Sequence, residues 1–208
     1  LFELNTLHDN LTEAVRLIQS GLYKEAVEGL RSLTLSNPES IEVWYNLGVA
    51  LDETEEYEEA LKAYDEALAI DTRVPDLWFN KGIVYFKISD YKNAKDCYEH
   101  VLELDPDDAE AWNNLGNCYS RMGEGKNAIE AYTRAVALKP DYAEAFYNKA
   151  NAHFIEGEDE HAIAYAELAI ELNPSLEKQV KEWIHVSRDR IAAIRDDKKY
   201  QRSKASKK

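Results

Sequence analysis

An all-α array of five helix pairs closed by one further helix is the fold class that this 208-residue sequence predicts. Three observations carry it. Trp44, Trp78, Trp112 and Phe146 stand 34 residues apart, and so do Gly48, Gly82, Gly116 and Ala150, and Ala26, Ala60, Ala94, Ala128 and Ala162. Between these marks the apolar residues keep helical spacing: at about 100° per residue, Trp44, Leu47, Gly48 and Leu51 share one narrow face. The 8 Gly and 5 Pro recur at near-fixed intervals and do not gather into loops.

In chain order, the period sets repeats at 7–40, 41–74, 75–108, 109–142 and 143–176. The first is the least regular, with Asn10 in the Trp place and Glu13-Ala14 for Leu-Gly, although Leu17, Ala26, Leu30, Leu33 and Pro38 keep the pattern. Terminal units of stacked arrays are commonly atypical, because one side has no neighbour. Leu1, Leu4, Leu7 and Leu11 continue a helical stripe, so the first helix is expected to begin before residue 7. Its apolar end calls for a cover, either an upstream segment or a second copy.

Inside each repeat, Gly48, Gly82 and Gly116 are expected where two helix backbones would otherwise collide. Ala60, Ala94 and Ala128 oppose them, and Tyr64, Tyr98 and Tyr132 fill the space above. Asn37-Pro38, Asp105-Pro106, Lys139-Pro140 and Asn173-Pro174 end the second helices, since Pro biases its predecessor away from helical geometry. Thr72 takes the fifth such place. The turns within repeats are marked by Gly21, by Gly123 with Gly125, and by Gly157, with Glu55-Glu56 and Ser89-Asp90 standing in elsewhere. Val180, Trp183, Ile184, Ile191 and Ile194 predict a capping helix over 176–197. Residues 198–208 read as a basic disordered tail after a single domain of residues 1–197.

The stretch from Ala109 to Tyr142 holds Trp112, Leu115, Gly116 and Tyr119, followed by Ala128, Tyr132, Ala135 and Pro140. This pattern resembles the tetratricopeptide repeat. The resemblance implies a right-handed superhelical solenoid whose first helices line a concave groove, and a scaffold for protein–protein interaction that performs no catalysis. It leaves two rivals open: a regulatory or substrate-docking arm of a larger enzyme, which a chain beginning Leu1-Phe2-Glu3 without Met permits, and a self-associating assembly element.

Charge narrows the partners. The net charge is −15, from 25 Lys+Arg against 40 Asp+Glu; residues 177–208 hold 11 and 5 of these, leaving 14 and 35 in the body. An acidic body repels phosphate, so nucleic acid is not the expected ligand. A neutral or basic protein or peptide is. Apolar runs of only a few residues lead us to expect no membrane span, and with no charged start before an apolar run no signal peptide is visible in these residues. Two cysteines, Cys97 and Cys118, are too few for a disulfide framework, which points to a reducing compartment or to indifference to redox state; a cytoplasmic setting is expected.

Catalytic constellations are missing: no phosphate-cradling glycine loop, no H-E-x-x-H, no paired Cys motifs and no G-x-S-x-G. No cofactor is expected. His8, His100, His153, His161 and His185 read as scattered. Cys97-x-x-His100 supplies two ligands where zinc takes three or four, so no metal site is expected. The acidic runs 52–59 and 105–108 lack the Gly and closing Glu of a calcium loop.

The informative residues lie on the first helices, away from the seam. Asn46, Asn80, Asn114 and Asn148 stand two residues after each aromatic anchor, and Asn117 and Asn151 five after, in the last two repeats. An amide side chain offers an acceptor and two donors, which match the backbone of an extended peptide. Beside them lie Tyr45, Phe79 and Tyr147, with Phe86 and Phe154 farther along, as side-chain pockets or as packing between repeats. Glu42, Asp76, Glu110 and Glu144 form an acidic rail, with Lys87 and Arg121 as its basic exceptions. Asn113, Asn117 and Arg121 are expected to make the groove face of the fourth repeat more polar than its neighbours. Family members that capture the acidic C-termini of heat-shock proteins use Lys where this chain has Leu11, Tyr45, Phe79, Asn113 and Tyr147, so those termini are not expected partners.

Overall fold

The same turn is built five times, and it sets where the helices stop. Gly21, Glu55, Ser89, Gly123 and Gly157, 34 residues apart, take φ of +74°, +64°, +63°, +79° and +76°. Each left-handed residue lets the next amide reach back to a carbonyl five residues earlier: Leu22 to Leu17, Glu56 to Leu51, Asp90 to Tyr85, Glu124 to Tyr119 and Glu158 to His153, all at 2.9 Å. This is the Schellman termination, which satisfies carbonyls that the helix end leaves open. In this computed structural model, which describes residues 2–205 and the side chains of 7–199 and 202, these turns join helices in pairs.

The described residues form two compact units. The first, Leu1–Pro106, contains α1 (Phe2–Gln19), α2 (Tyr23–Ser36), α3 (Ile41–Glu53), α4 (Tyr57–Ile70), α5 (Pro75–Lys87) and α6 (Tyr91–Leu104). The second, Asp107–Lys208, contains α7 (Ala109–Arg121), α8 (Gly125–Leu138), α9 (Ala143–Ile155), α10 (Asp159–Leu172), a 3-10 turn (Pro174–Leu176) and α11 (Glu177–Ala205). The expected five pairs and final helix are all present, and no strand occurs among the described residues. None of their helices is long and apolar enough to cross a membrane.

Two of the first helices, α3 and α7, begin on side-chain caps. Ser40 Oγ accepts from Val43 N at 3.4 Å, and Asp108 Oδ1 accepts from Glu110 N and Ala111 N at 2.8 and 2.9 Å. Such caps contribute about 1 kcal/mol each. Pro75 opens α5, where its missing N–H costs nothing. Two inter-repeat connections are held from the next helix: Trp44 Nε1 donates to Pro38 O at 2.8 Å and Trp78 Nε1 to Thr72 O at 2.9 Å. The tryptophan is therefore both core and clasp.

The seam inside each pair differs from the expected Gly-on-Ala crossing. Ala26, Ala60, Ala94, Ala128 and Ala162 are fully buried, but the glycines face the tyrosines. A Cβ on Gly48 would lie 2.6 Å from the Tyr64 ring, on Gly82 3.0 Å from Tyr98, and on Gly116 2.5 Å from Tyr132. The ring stacks against bare backbone because its side chain leaves α4, α6 or α8 toward the partner helix, four residues past the alanine. Gly125 also differs, since it is not a turn residue but the first residue of α8.

At the C-terminal end, Val180 and Ile184 of α11 bury against Ala150 and Ala166, with Tyr147, Ile163 and Trp183 beside them. This is the expected cap, beginning at Glu177. Ile194, expected on the packed face, is 53% exposed, because α11 runs past the end of the repeat that it covers. The helix continues to Ala205, so the disorder expected from 198 onward is not what residues 198–205 adopt. Lys, Arg, Gln and Ala are all good helix formers, and an established helix extends through them readily. Residues 206–208 lie outside the described residues. On α1, Leu7 is half-buried and Leu11 buried, while Leu1 and the side chain of Leu4 lie outside the described residues.

Candidate partner-binding face

Consecutive first helices meet in a fixed register of 35 residues, one more than the repeat. Asn80 Nδ2 lies 3.4 Å from Tyr45 Oη, Lys87 Nζ lies 2.8 and 2.9 Å from the Asp52 carboxylate, and Asn148 Nδ2 donates to Asn113 Oδ1 at 3.1 Å. The extra residue arises because a helical side chain leans toward its own N-terminus and so reaches a neighbour one position earlier.

In the first unit this register assembles a face from α3 and α5. Asn46 Nδ2 donates to Glu42 O at 2.7 Å and Asn80 Nδ2 to Asp76 O at 2.8 Å, so both amides are pinned to their own helix in the same orientation. Both are half-buried. Tyr45 sits edge-on to Tyr64 at 6.5 Å between ring centroids, and Phe79 edge-on to Tyr98 at 5.7 Å. Burial, and then the Asp76 carboxylate, hold the Tyr45 hydroxyl above the usual phenol range, so it stays protonated. Phe86 lies edge-on to Tyr91 at 5.2 Å. Lys87, read as a basic exception, is paired with Asp52.

In the second unit, α7 and α9 carry the corresponding residues. Asn114 and Asn151 are half-buried and Arg121 is exposed. Asn117 and Asn148 face inward by their bonds: Asn117 Oδ1 accepts from Tyr132 Oη at 2.8 Å, and Asn148 serves Asn113. Asn113, expected on the groove face, is only 1% exposed. Its amide also bonds Tyr142, whose hydroxyl burial and Glu144 push up to about 12. The polarity expected at the fourth repeat is thus largely internal. Tyr147 packs on the Ala150 and Ala166 cluster, and Phe154 on Trp183 at 5.4 Å with the Arg190 guanidinium 4.7 Å over its ring. Of the two readings of these aromatics, packing is the one realised at Phe154.

Glu42, Asp76, Glu110 and Glu144 are all exposed in the first turns of α3, α5, α7 and α9. That placement also favours the helices, whose N-terminal amides attract negative charge. Cys97 is buried, and desolvation pushes its thiol up to about 12; His100 is exposed and lies on Trp78 at 4.4 Å.

One grouping escaped the sequence reading. His153, Glu158 and His161 converge at the α9–α10 turn, with His153 Nδ1 2.7 Å and His161 Nδ1 3.6 Å from Glu158 Oε2. His153 is buried, which lowers its pKa against the pull of Glu158. The signal was present. Gly157 folds residue 158 back on 153, and 158 and 161 share a helix face.

Comparison with known proteins agrees with this architecture. Models of the Tetratricopeptide repeat match residues 41–71, 75–108, 109–142 and 143–176, more than half of the chain. A TPR repeat-containing protein of Methanocaldococcus jannaschii is 41% identical over 69 residues, which are 33% of this chain and 12% of that protein. A crystal structure of MamA matches with a TM-score of 0.74 at 23% identity, covering 79% of this chain and 96% of that one. MamA 41-end from Desulfovibrio magneticus RS-1 matches at 0.76 and 25% identity, covering 81% and 96%. YrrB, described as a TPR protein with an unusual peptide-binding site, matches at 0.71 and 23% identity, covering 83% and 90%. With the period, the helix pairs and the glycine–tyrosine seam, these matches establish that the chain belongs to the tetratricopeptide-repeat family.

Proposed function

We propose that the chain is a non-catalytic scaffold that holds a segment of a partner protein, extended or helical, on the Asn-bearing face of its first helices. The observation that carries this reading is the matched state of Asn46 and Asn80. Each uses one amide hydrogen to fix itself to its own helix, at 2.7 and 2.8 Å, and so presents its amide in a set orientation beside Tyr45 and Phe79. Such an amide offers a backbone peptide group its carbonyl oxygen as an acceptor and, at Asn46, a second N–H as a donor, without reference to the peptide's side chains; at Asn80 the second N–H faces Tyr45 Oη. Asn114 and Asn151, half-buried, and the exposed Arg121 offer further polar contacts in the second unit. The rail of Glu42, Asp76, Glu110 and Glu144 favours neutral or basic segments, with an attraction that weakens as salt rises. The peptide-binding site named for YrrB supports a peptide as the class of ligand.

Panning a random peptide library against the intact chain tests this. Enrichment of sequences that the Asn46→Ala/Asn80→Ala variant fails to retain is expected. Enrichment of the same sequences by both proteins would refute the reading.

Self-association is a second reading with its own support. Val186 and Ile194 of α11 are 43% and 53% exposed, and the helix is basic where the body is acidic. Light scattering at low and high salt distinguishes the two, since a monomer throughout removes this reading.

A further inference from the structure

We propose that the α9–α10 turn binds one divalent transition-metal ion of the zinc class, with His153, Glu158 and His161 as its protein ligands and solvent as the fourth. The three side chains already converge, since one ligand atom from each lies within 4.8 Å of the other two. Glu158 Oε2 stands 2.7 Å from His153 Nδ1 and 3.6 Å from His161 Nδ1, and the two imidazole rings are 5.1 Å apart. A tetrahedral zinc ion with bonds near 2.0–2.2 Å separates its ligand atoms by about 3.4 Å. Only small side-chain rotations therefore separate the present arrangement from a coordinated one.

The backbone under the ligands is fixed. Glu158 N bonds His153 O at 2.9 Å across Gly157, and Ala162 N bonds Glu158 O at 3.0 Å, so the turn and the first coil of α10 hold the three positions together. His153 is 6% exposed, and its Nδ1, the nitrogen that faces Glu158, is the one placed to bind the ion.

Ligand chemistry selects the ion. Two imidazoles and one carboxylate suit zinc and its first-row neighbours, whereas calcium and magnesium require a shell of oxygens. Glu158 and His161 are exposed, which leaves an open side for solvent and for entry of the ion. One group opposes binding. The Lys149 ammonium lies 4.0 Å over the Tyr165 ring that stacks on His153, so a micromolar rather than a nanomolar site is expected. Asp159 does not contribute, because its carboxylate is taken by Ser187 and Arg190.

Titration calorimetry of the tag-free full chain with zinc chloride, together with the visible spectrum of the cobalt(II) form, tests the site. The expected result is one ion per chain and a tetrahedral cobalt spectrum. Affinity should fall about tenfold or more in His161→Ala and in Glu158→Gln, and stay unchanged in the control His100→Ala. Both ligand substitutions are at exposed side chains, so the helical circular dichroism of the parent is retained. Absence of binding by the parent, or parent-like affinity in both ligand variants, would overturn the proposal.

Discussion

Ser187 Oγ donates a 2.6 Å hydrogen bond to Asp159 Oδ1 where both side chains are buried, tying α11 to the first turn of α10. Arg190 reaches the same carboxylate oxygen at 3.3 Å while its guanidinium covers Phe154. The cap is therefore held by a polar lock inside an otherwise apolar contact. A buried bond to a charged acceptor contributes about 1.5–3 kcal/mol, so Ser187→Ala should lower the stability of the second unit by an amount in that range. Urea unfolding followed through Trp183 fluorescence measures it, and an unchanged midpoint would dissociate Ser187 from the lock.

The glycine–tyrosine seam predicts a graded series. Adding a Cβ at Gly116 or Gly48 meets a buried ring at 2.5 or 2.6 Å, whereas at Gly82 the nearest atoms are 3.0 Å away. Alanine gains about 1 kcal/mol of helix propensity over glycine, against an overpacking cost of about 1–3 kcal/mol. Gly116→Ala and Gly48→Ala should be net destabilising and Gly82→Ala close to neutral, read as thermal midpoints. Equal effects at all three positions would argue against the ring contact as their cause.

Ser89 and Glu55 hold the left-handed turn conformation without being glycine. That conformation costs an ordinary residue about 1–2 kcal/mol, part of which glycine returns in unfolded-state entropy. Ser89→Gly is expected to raise stability by about 0.5–1 kcal/mol, measured by denaturant midpoint. A loss of stability would show that Ser89 is retained for its side chain, whose Oγ lies 3.2 Å from Tyr91 Oη.

Cys97 links stability to alkaline pH. Burial raises its thiol from an ordinary value of 9.0 to about 12, so the folded chain keeps the proton that the unfolded chain releases. The stability this contributes is complete below pH 9 and is lost as pH rises from 9 toward 12. The difference between parent and Cys97→Ala should hold constant below pH 8 and shrink above 9 by up to about 1.4 kcal/mol per pH unit. A difference independent of pH would contradict the assignment.

The repeats were legible in the sequence because their marks are local. A 34-residue recurrence of Trp, Gly and Ala can be read without knowing any contact, and the polar pairs Glu55-Glu56 and Ser89-Asp90 betray the turn by holding its register. The face between repeats was less legible. Asn113 shares its helix position with Tyr45, Phe79 and Tyr147, and nothing within its own repeat says that Asn148, 35 residues on, turns it inward. Lys87 is taken by Asp52 across the same interval, and Phe154 by a helix outside the period altogether. Periodicity assigns a residue to a face. Only the packing of the next helix decides whether that face meets solvent, a partner or the chain itself.

The central claim, that the pinned asparagines hold a peptide backbone, is tested most directly by calorimetry on the first-unit face. A library-selected peptide is titrated into the parent and into Asn46→Ala/Asn80→Ala; Asn148 is left intact because its removal would take a donor from the buried Asn113 Oδ1. Loss of two hydrogen bonds of about 1 kcal/mol each predicts roughly 30-fold weaker binding with unchanged helical circular dichroism. Equal affinity for the two proteins would contradict the account.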